Sequence, residues 1–268
     1  MTTSLITADW PAPTNVVAAC STRSGGTSVG DYAGNNLAAH VGDAADAVQS
    51  NRLQLAEATA IAPQHWQWLS QTHGANCVAI HRVVPCPVDA DAALTGQPST
   101  VCTVLTADCL PVLLCDSKGT RVAAIHAGWR GLAAGIIGDT VVRMRESLGL
   151  EHAGQKQAEV LAWLGPAIGP AHFEVGGDVV DAFTQSAASG QWRGEPPASA
   201  FTASGRGKYL ADIYQLARQA LLNVGVDAVY GGGLCTFSDR EQFYSYRRDG
   251  NCGRMASFIY LKENTMHG

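Results

Sequence analysis

Three apolar runs follow one another in the middle of this chain, each closed by a short turn. TVCTVL (Thr100–Leu105) leads through the turn TADCLP (Thr106–Pro111) into VLLCD (Val112–Asp116), and SKGT then leads into RVAAIHA (Arg121–Ala127). Runs of this length bounded by turn residues are strand signals. A cysteine inside such a run reads as a small buried hydrophobe. Cys109 instead sits in a Pro-closed turn between two runs, where it is offered to whatever occupies the strand ends.

The same signals recur along the chain. NVVAACST, WQWLSQ, NCVAIH, EVLAWLGP, VDAVYGGG and MASFIYL read as strands. Helical spacing runs from about Asp43 to Ala60, through Val48, Arg52, Leu55 and Thr59, and stops at Pro63. GWRG opens a helix over Leu132–Leu148 ended by Gly149, and GPAHFEVGGDVVDAF turns into another. Asp212–Val224 carries Ile213, Leu216, Ala217, Ala220, Leu221 and Val224 along one face, with Gly225 beyond it. Helices are too few and tight turns too many for a pure βαβ repeat. The expectation is a mixed α/β domain with sheets between helical layers, a single domain over 1–268 without internal repeat or linker. One segment departs from this: 184–208, rich in Ala, Ser, Gly and Pro, reads as a structureless loop, a mobile insertion or a lid in which Trp192, Arg193, Phe201 and Arg206 can cover a ligand.

Bulk properties narrow the function classes. The 268 residues are 46% hydrophobic and 15% charged, with net charge −5. An acidic balance argues against a nucleic-acid or membrane-surface partner, and no run of 18 or more apolar residues suggests a membrane span. The start MTTSLITADWPAPTN lacks a basic segment followed by an apolar one, so a cytoplasmic location is expected. Eight cysteines include no C-x-x-C pair, which removes zinc-ribbon and thioredoxin-type readings, and no disulfide framework is expected. Cys20, Cys77, Cys102 and Cys115 read as packing residues.

Three residues stand at strand ends with chemistry to offer: His73 in SQTHGA, Cys109 in TADCLP, and His126 before GWRG. Two imidazoles and a thiolate form a zinc set with a fourth position open. The same atoms can also serve a cysteine nucleophile, Cys109 with His126 or His73 as base. Asp108 can then orient the base or a metal ligand. Spacing alone leaves both uses open. The remaining histidines read as structural. Arg130, between Gly128 and Gly131 at a strand-to-helix junction, is an anion-binding candidate. Arg52 and Arg23 are of the same kind, and the basic turn RRDGNCGRM (Arg247–Met255) can reach a site too. Neither a phosphate-binding GxxxxGK[ST] nor a dinucleotide GxGxxG is present.

Taken together, STRSGGTS, NLAAHVGD, SNR, WLSQTHG, DADAALT, TADCLPVLL, AAIHAGWRGL, LGPAIGPAHFEVG and FYSYRRDGNCGRMA resemble the YfiH-like family, formerly labelled multicopper polyphenol oxidase or laccase-domain. The likeness runs in order from about Thr22 to Leu261, with Ala38 where the family more often has glycine. It implies an α/β/β/α layered sandwich with mixed sheets, similar to cysteine hydrolases, and zinc at His73, Cys109 and His126. It also implies a purine nucleoside phosphorylase acting on adenosine, inosine and methylthioadenosine, with adenosine deamination. Small-molecule partners follow, a purine nucleoside and phosphate, with Arg130 and Arg52 holding phosphate or ribose hydroxyls and Asn36 a sugar or base contact. The alternative is an amidase, a cysteine-type hydrolase editing peptidoglycan precursors. A copper-dependent laccase fits least: the chain has no His-X-His, and Met1, Met144, Met255 and Met266 lie far in sequence from the three motifs.

Overall fold

The computed structural model describes residues 3–148, 159–196 and 198–263. Its frame is two mixed sheets packed face to face. In the first, strands follow the order Leu5–Thr7, Val16–Ser21, Met255–Leu261, Val101–Thr106 and Trp66–Gln67. In the second, the order is Val229–Gly231, Val160–Leu164, Leu110–Asp116, Val122–Ala127, Ala92–Thr95 and Cys77–Ala79. Most neighbours are antiparallel, whereas the outermost pairs on both edges of the second sheet are parallel.

Side-chain alternation builds the layers. Along Leu110–Asp116, Leu113 and Cys115 enter the core between the sheets, while Leu110, Val112 and Leu114 face the opposite way. Val122 and Ala124 likewise join the inter-sheet core, and Ala123, Ile125 and Ala127 the other. A period of two with both faces apolar requires cover on both sides. The first sheet's outer face is covered by α1 (Ala45–Thr59), through Leu55 against Trp66, Val101 and Phe258. The second sheet's outer face is covered by α2 (Trp129–Ala133), α3 (Ile136–Ser147), α4 (Gly177–Ser189) and α5 (Ile213–Leu222). The architecture is therefore the α/β/β/α sandwich. Asp212 caps α5 by accepting from the Tyr214 and Gln215 amides. Cys20, Cys77, Cys102 and Cys115 are all buried packing residues. Among the described residues, no helix is long and apolar enough to cross a membrane.

Two expectations need correction. The helix read over Leu132–Leu148 is broken, because Gly135 takes φ 88° against the Gln191 carbonyl, separating α2 from α3. Gly149 lies outside the described residues. The segment 184–208 is not structureless either. Its first residues complete α4, and Gly190 ends that helix in the left-handed region. The strands Phe201–Gly205 and Lys208–Ala211 form a hairpin that pairs with Glu174–Gly176. Trp192 is only 2% exposed and meets Phe183 edge-on at 5.2 Å, with Phe201 tilted on the same ring at 5.7 Å. These aromatics pack the core instead of covering a ligand; the hairpin strands are mostly exposed and carry no apolar alternation for the sequence to display. Pro197 lies outside the described residues.

The inter-sheet core sets stability. Leu113→Ala should destabilise the protein by about 2–5 kcal/mol, whereas Leu222→Ala, at a side chain 56% exposed, should change it by less than about 0.5 kcal/mol. Urea unfolding of both variants checks the contrast.

Candidate functional site

The turn TADCLP is a corner between the sheets. Val101–Thr106 belongs to the first and Leu110–Asp116 to the second, so the chain crosses the mouth of the sandwich at Cys109. Asp108 takes φ 88° to make the crossing, a conformation that costs a non-glycine residue energy unless its surroundings enforce it. Its carboxylate does so, accepting from the Thr236 hydroxyl at 2.6 Å and the Arg247 amide at 2.7 Å. Asp108 is thus a clamp on the corner, and the role expected of it, orienting a histidine, belongs to another residue.

That residue is Asp91, fully buried in DADAALT. One carboxylate oxygen sits 2.8 Å from His126 Nδ1 and accepts the His73 amide at 2.9 Å. The other accepts the Gly74 amide at 2.7 Å, the Thr72 amide at 3.1 Å and the Thr72 hydroxyl at 3.0 Å. Burial alone would raise its pKa, but the His126 ring and these N–H donors bring it down to about 2. The His73 backbone, at φ 61°, is held in the left-handed region by the same carboxylate. The sequence carried a signal for Asp91: an acid flanked by alanines within an apolar run needs buried partners.

With those anchors, the donor atoms of His73, Cys109 and His126 lie within 4.8 Å of one another. The two rings meet edge to face, centroids 4.7 Å apart. Among the described residues this is the one group of three or more such donors. His73 is exposed, Cys109 half-buried and His126 buried, so the set opens on one side. Gly128 makes room beneath it: a Cβ there would stand 3.0 Å from Cys109 Sγ and 3.1 Å from His73 Cδ2. Burial would push the Cys109 thiol up, yet the His126 and His73 rings lower it to about 6. Burial would lower His126, yet Cys109 and Asp91 raise it to about 9. The pair therefore favours thiolate beside imidazolium when no metal is present.

The set opens into a cavity of about 330 Å³. Trp129, Ile168, Phe173, Ile213 and Tyr246 give it flat or apolar walls, Arg247 and Arg254 give it cations, and His40 stands on the same wall. The basic turn RRDGNCGRM thus reaches the site. His40, read as structural from sequence, lines the cavity as well. The other expected contacts are elsewhere. Arg130 is exposed, stacked over Trp129 at 4.3 Å, and does not line the cavity. Arg52 lies in a separate groove over the Trp68 ring at 3.8 Å, donating to the Leu37 carbonyl. Asn36 is fully buried and spent on structure: its amide donates to Asp43, and its oxygen accepts the Ala38 and Arg254 amides.

A two-sheet sandwich with a His–Cys–His centre open to a cavity at its mouth defines a class of metal-competent proteins. The chain belongs to the YfiH family: the family model described as multi-copper polyphenol oxidoreductase laccase matches residues 17–262. It is 48% identical over 257 residues to an Escherichia coli protein named purine nucleoside phosphorylase YfiH, covering 96% of this chain and 98% of that one. A Pseudomonas aeruginosa protein named as a purine nucleoside phosphorylase is 49% identical over 260 residues, with 96% and 98% covered. A crystal structure of a Neisseria meningitidis protein superimposes with a TM-score of 0.84 at 44% identity, covering 96% of this chain and 99% of that one. YlmD from Geobacillus stearothermophilus follows at 0.83 and 30% identity, with 94% of each chain covered.

The centre makes two checkable statements. In metal-free protein the alkylation rate of Cys109 should rise with pH around a midpoint near 6, because the thiolate is the reactive form; an iodoacetamide pH series reads this, and added metal should suppress labelling. Asp91→Asn should weaken metal retention about 10–100-fold by loosening both histidine segments, measured by competition with a chromophoric chelator.

Proposed function

We propose that the chain is a zinc-dependent cytoplasmic purine nucleoside phosphorylase taking adenosine, inosine and methylthioadenosine, with adenosine deamination at the same centre. The carrying observation is that the His–Cys–His set opens into a cavity whose walls combine flat side chains with cations. A nucleoside is a flat base joined to a polyol, and the volume falls within the range of small-ligand pockets. The printed names of the relatives support the same reading.

Zinc fits the donor set. A tetrahedral zinc about 2.0–2.3 Å from two nitrogen donors and one sulfur donor would need those donors roughly 3.3–3.6 Å apart, which small movements of side chains now within 4.8 Å of one another would reach. Bound there, zinc supplies a Lewis acid facing the cavity. Asp91 engages His126 Nδ1, so His126 Nε2 would be the atom left to hold a metal. Copper finds no axial thioether, since Met144 is in the helix-side core, Met255 Sδ accepts the Tyr244 amide, and neither lines the cavity. Met1 and Met266 lie outside the described residues.

In phosphorolysis a phosphate oxygen bonds to ribose C1′ while the C1′–N9 bond breaks. The electron pair leaves with the base, which takes up a proton. Trp129, Ile168, Phe173 and Ile213 would stack on the base and keep water from competing with phosphate at C1′. A second reading has its own observation: the lowered Cys109 thiol beside a raised His126 is also the pairing of a cysteine-type amidase.

Inosine given to zinc-loaded protein should yield hypoxanthine and ribose 1-phosphate only when inorganic phosphate is added. Phosphate-independent cleavage of a peptidoglycan-precursor amide by metal-free protein, abolished by alkylating Cys109, would establish the amidase instead.

A further inference from the structure

The arginines at and next to the cavity are unequal. Arg248, next to Arg247, is consumed by Asp249 at 2.7 Å and by the Thr236, Phe237 and Phe243 carbonyls. Arg247, exposed and also without a carboxylate within ion-pair distance among the described residues, donates from Nη1 to the His172 and Glu174 carbonyls at 3.4 and 2.8 Å. Arg254 is half-buried where Arg247 is exposed: the Arg254 Nη1 donates to the Cys252 and Gly253 carbonyls at 2.6 and 3.0 Å, and among the described residues no carboxylate lies within ion-pair distance of it. The remaining edge of its guanidinium has no acceptor among those residues, although its backbone is fixed by Asn36. A held guanidinium without a carboxylate, on the wall of a cavity, is prepared for an external anion.

Two neighbours point the same way. Thr106 pairs in register with Met255, the residue after Arg254, and Thr106 and Arg254 both line the cavity. Thr106 is 1% exposed and lines the cavity, and its hydroxyl has no partner. A buried hydroxyl left unpaired is an uncommon cost, relieved by a ligand oxygen. His40 lines the same cavity, and burial followed by the charges of Arg254, Arg52 and His73 lowers its pKa. The one carboxylate on the cavity wall, Asp108, is already committed to Thr236 and the Arg247 amide.

We infer that Arg254, Thr106 and His40 form an oxyanion seat beside the His–Cys–His centre, and that inorganic phosphate occupies it as the co-substrate. This deepens the phosphorylase reading and rests on it for the identity of the anion. It also reassigns the phosphate from Arg130, which the fold leaves outside the cavity. Arg254 would grip two phosphate oxygens bidentately, with Thr106 donating to one of them. His40, on the same wall, would orient the anion toward the ribose.

The test uses zinc-loaded protein and inorganic phosphate in two measurements: phosphate KM in inosine turnover, and direct phosphate binding by calorimetry without nucleoside. Arg254→Gln should raise phosphate KM and weaken direct binding about tenfold to a hundredfold, with zinc content and inosine KM unchanged. Thr106→Val should act in the same direction more weakly, and Arg130→Gln should move neither quantity. Phosphate-dependent turnover that survives both cavity variants with unchanged phosphate KM overturns the seat and leaves the phosphorylase reading standing. If inosine is not turned over at all, calorimetry decides. Phosphate binding that Arg254→Gln abolishes keeps the seat and removes the phosphorylase, whereas binding that is absent or indifferent to the variant removes the seat.

Discussion

The Asp91 carboxylate ties together what the site needs. It is fully buried, and a buried carboxylate must be surrounded by donors. Here the donors are the backbone of Thr72, His73 and Gly74 and the ring of His126. One charge therefore fixes a loop from one part of the chain and a strand end from another. Satisfying Asp91 places His73 in a backbone conformation it would otherwise avoid, and turns His126 so that Nε2 remains available. The third member, Cys109, is placed by a different clamp, Asp108 against Thr236 and Arg247. The two carboxylates hold the two sides of the centre independently of any metal.

The geometry follows from where the strands belong. If Val101–Thr106 and Leu110–Asp116 were neighbours in one sheet, Cys109 would cap a hairpin at its edge. They lie in different sheets, so the turn spans the sandwich and its cysteine faces the space where the inter-sheet core ends. His126 shares strand parity with Val122 and Ala124, both in that inter-sheet core. Period-two alternation thus aims His126 at the same mouth. Gly128, two residues on, leaves the volume that a side chain would otherwise fill.

Much of this was legible in the sequence because it depends on local pattern. Apolar runs and turn residues give the strands, the 3.6-residue stripe gives α5, and the three donor residues stand at element ends. What was not legible depends on pairing across long separations. Asp91 was passed over and Asp108 credited, since adjacency to Cys109 in sequence says nothing about which carboxylate meets His126. Arg130 looked suited to an anion because it stands between two glycines at a strand-to-helix junction, but at the start of α2 its side chain lies on the outer surface over Trp129. Arg254, about 130 residues from His126 in sequence, arrives through the Met255–Thr106 register. The segment 184–208 misled through composition: small polar residues form a largely exposed hairpin that begins after the buried Ala200 and ends at the buried Ala211.

The division of labour among the arginines then has a physical basis. A guanidinium already paired with a carboxylate has little field left for a ligand, and one on an open surface is screened by solvent. Arg248 is in the first condition and Arg130 in the second. Arg254 is in neither: its orientation is set by carbonyls, which fix the side chain without neutralising its charge. Placing such a group beside an unpaired buried hydroxyl and a cluster of histidines leaves local positive charge without a protein counter-anion. A protein of net charge −5 could have supplied one; at this wall its acids are directed to other partners.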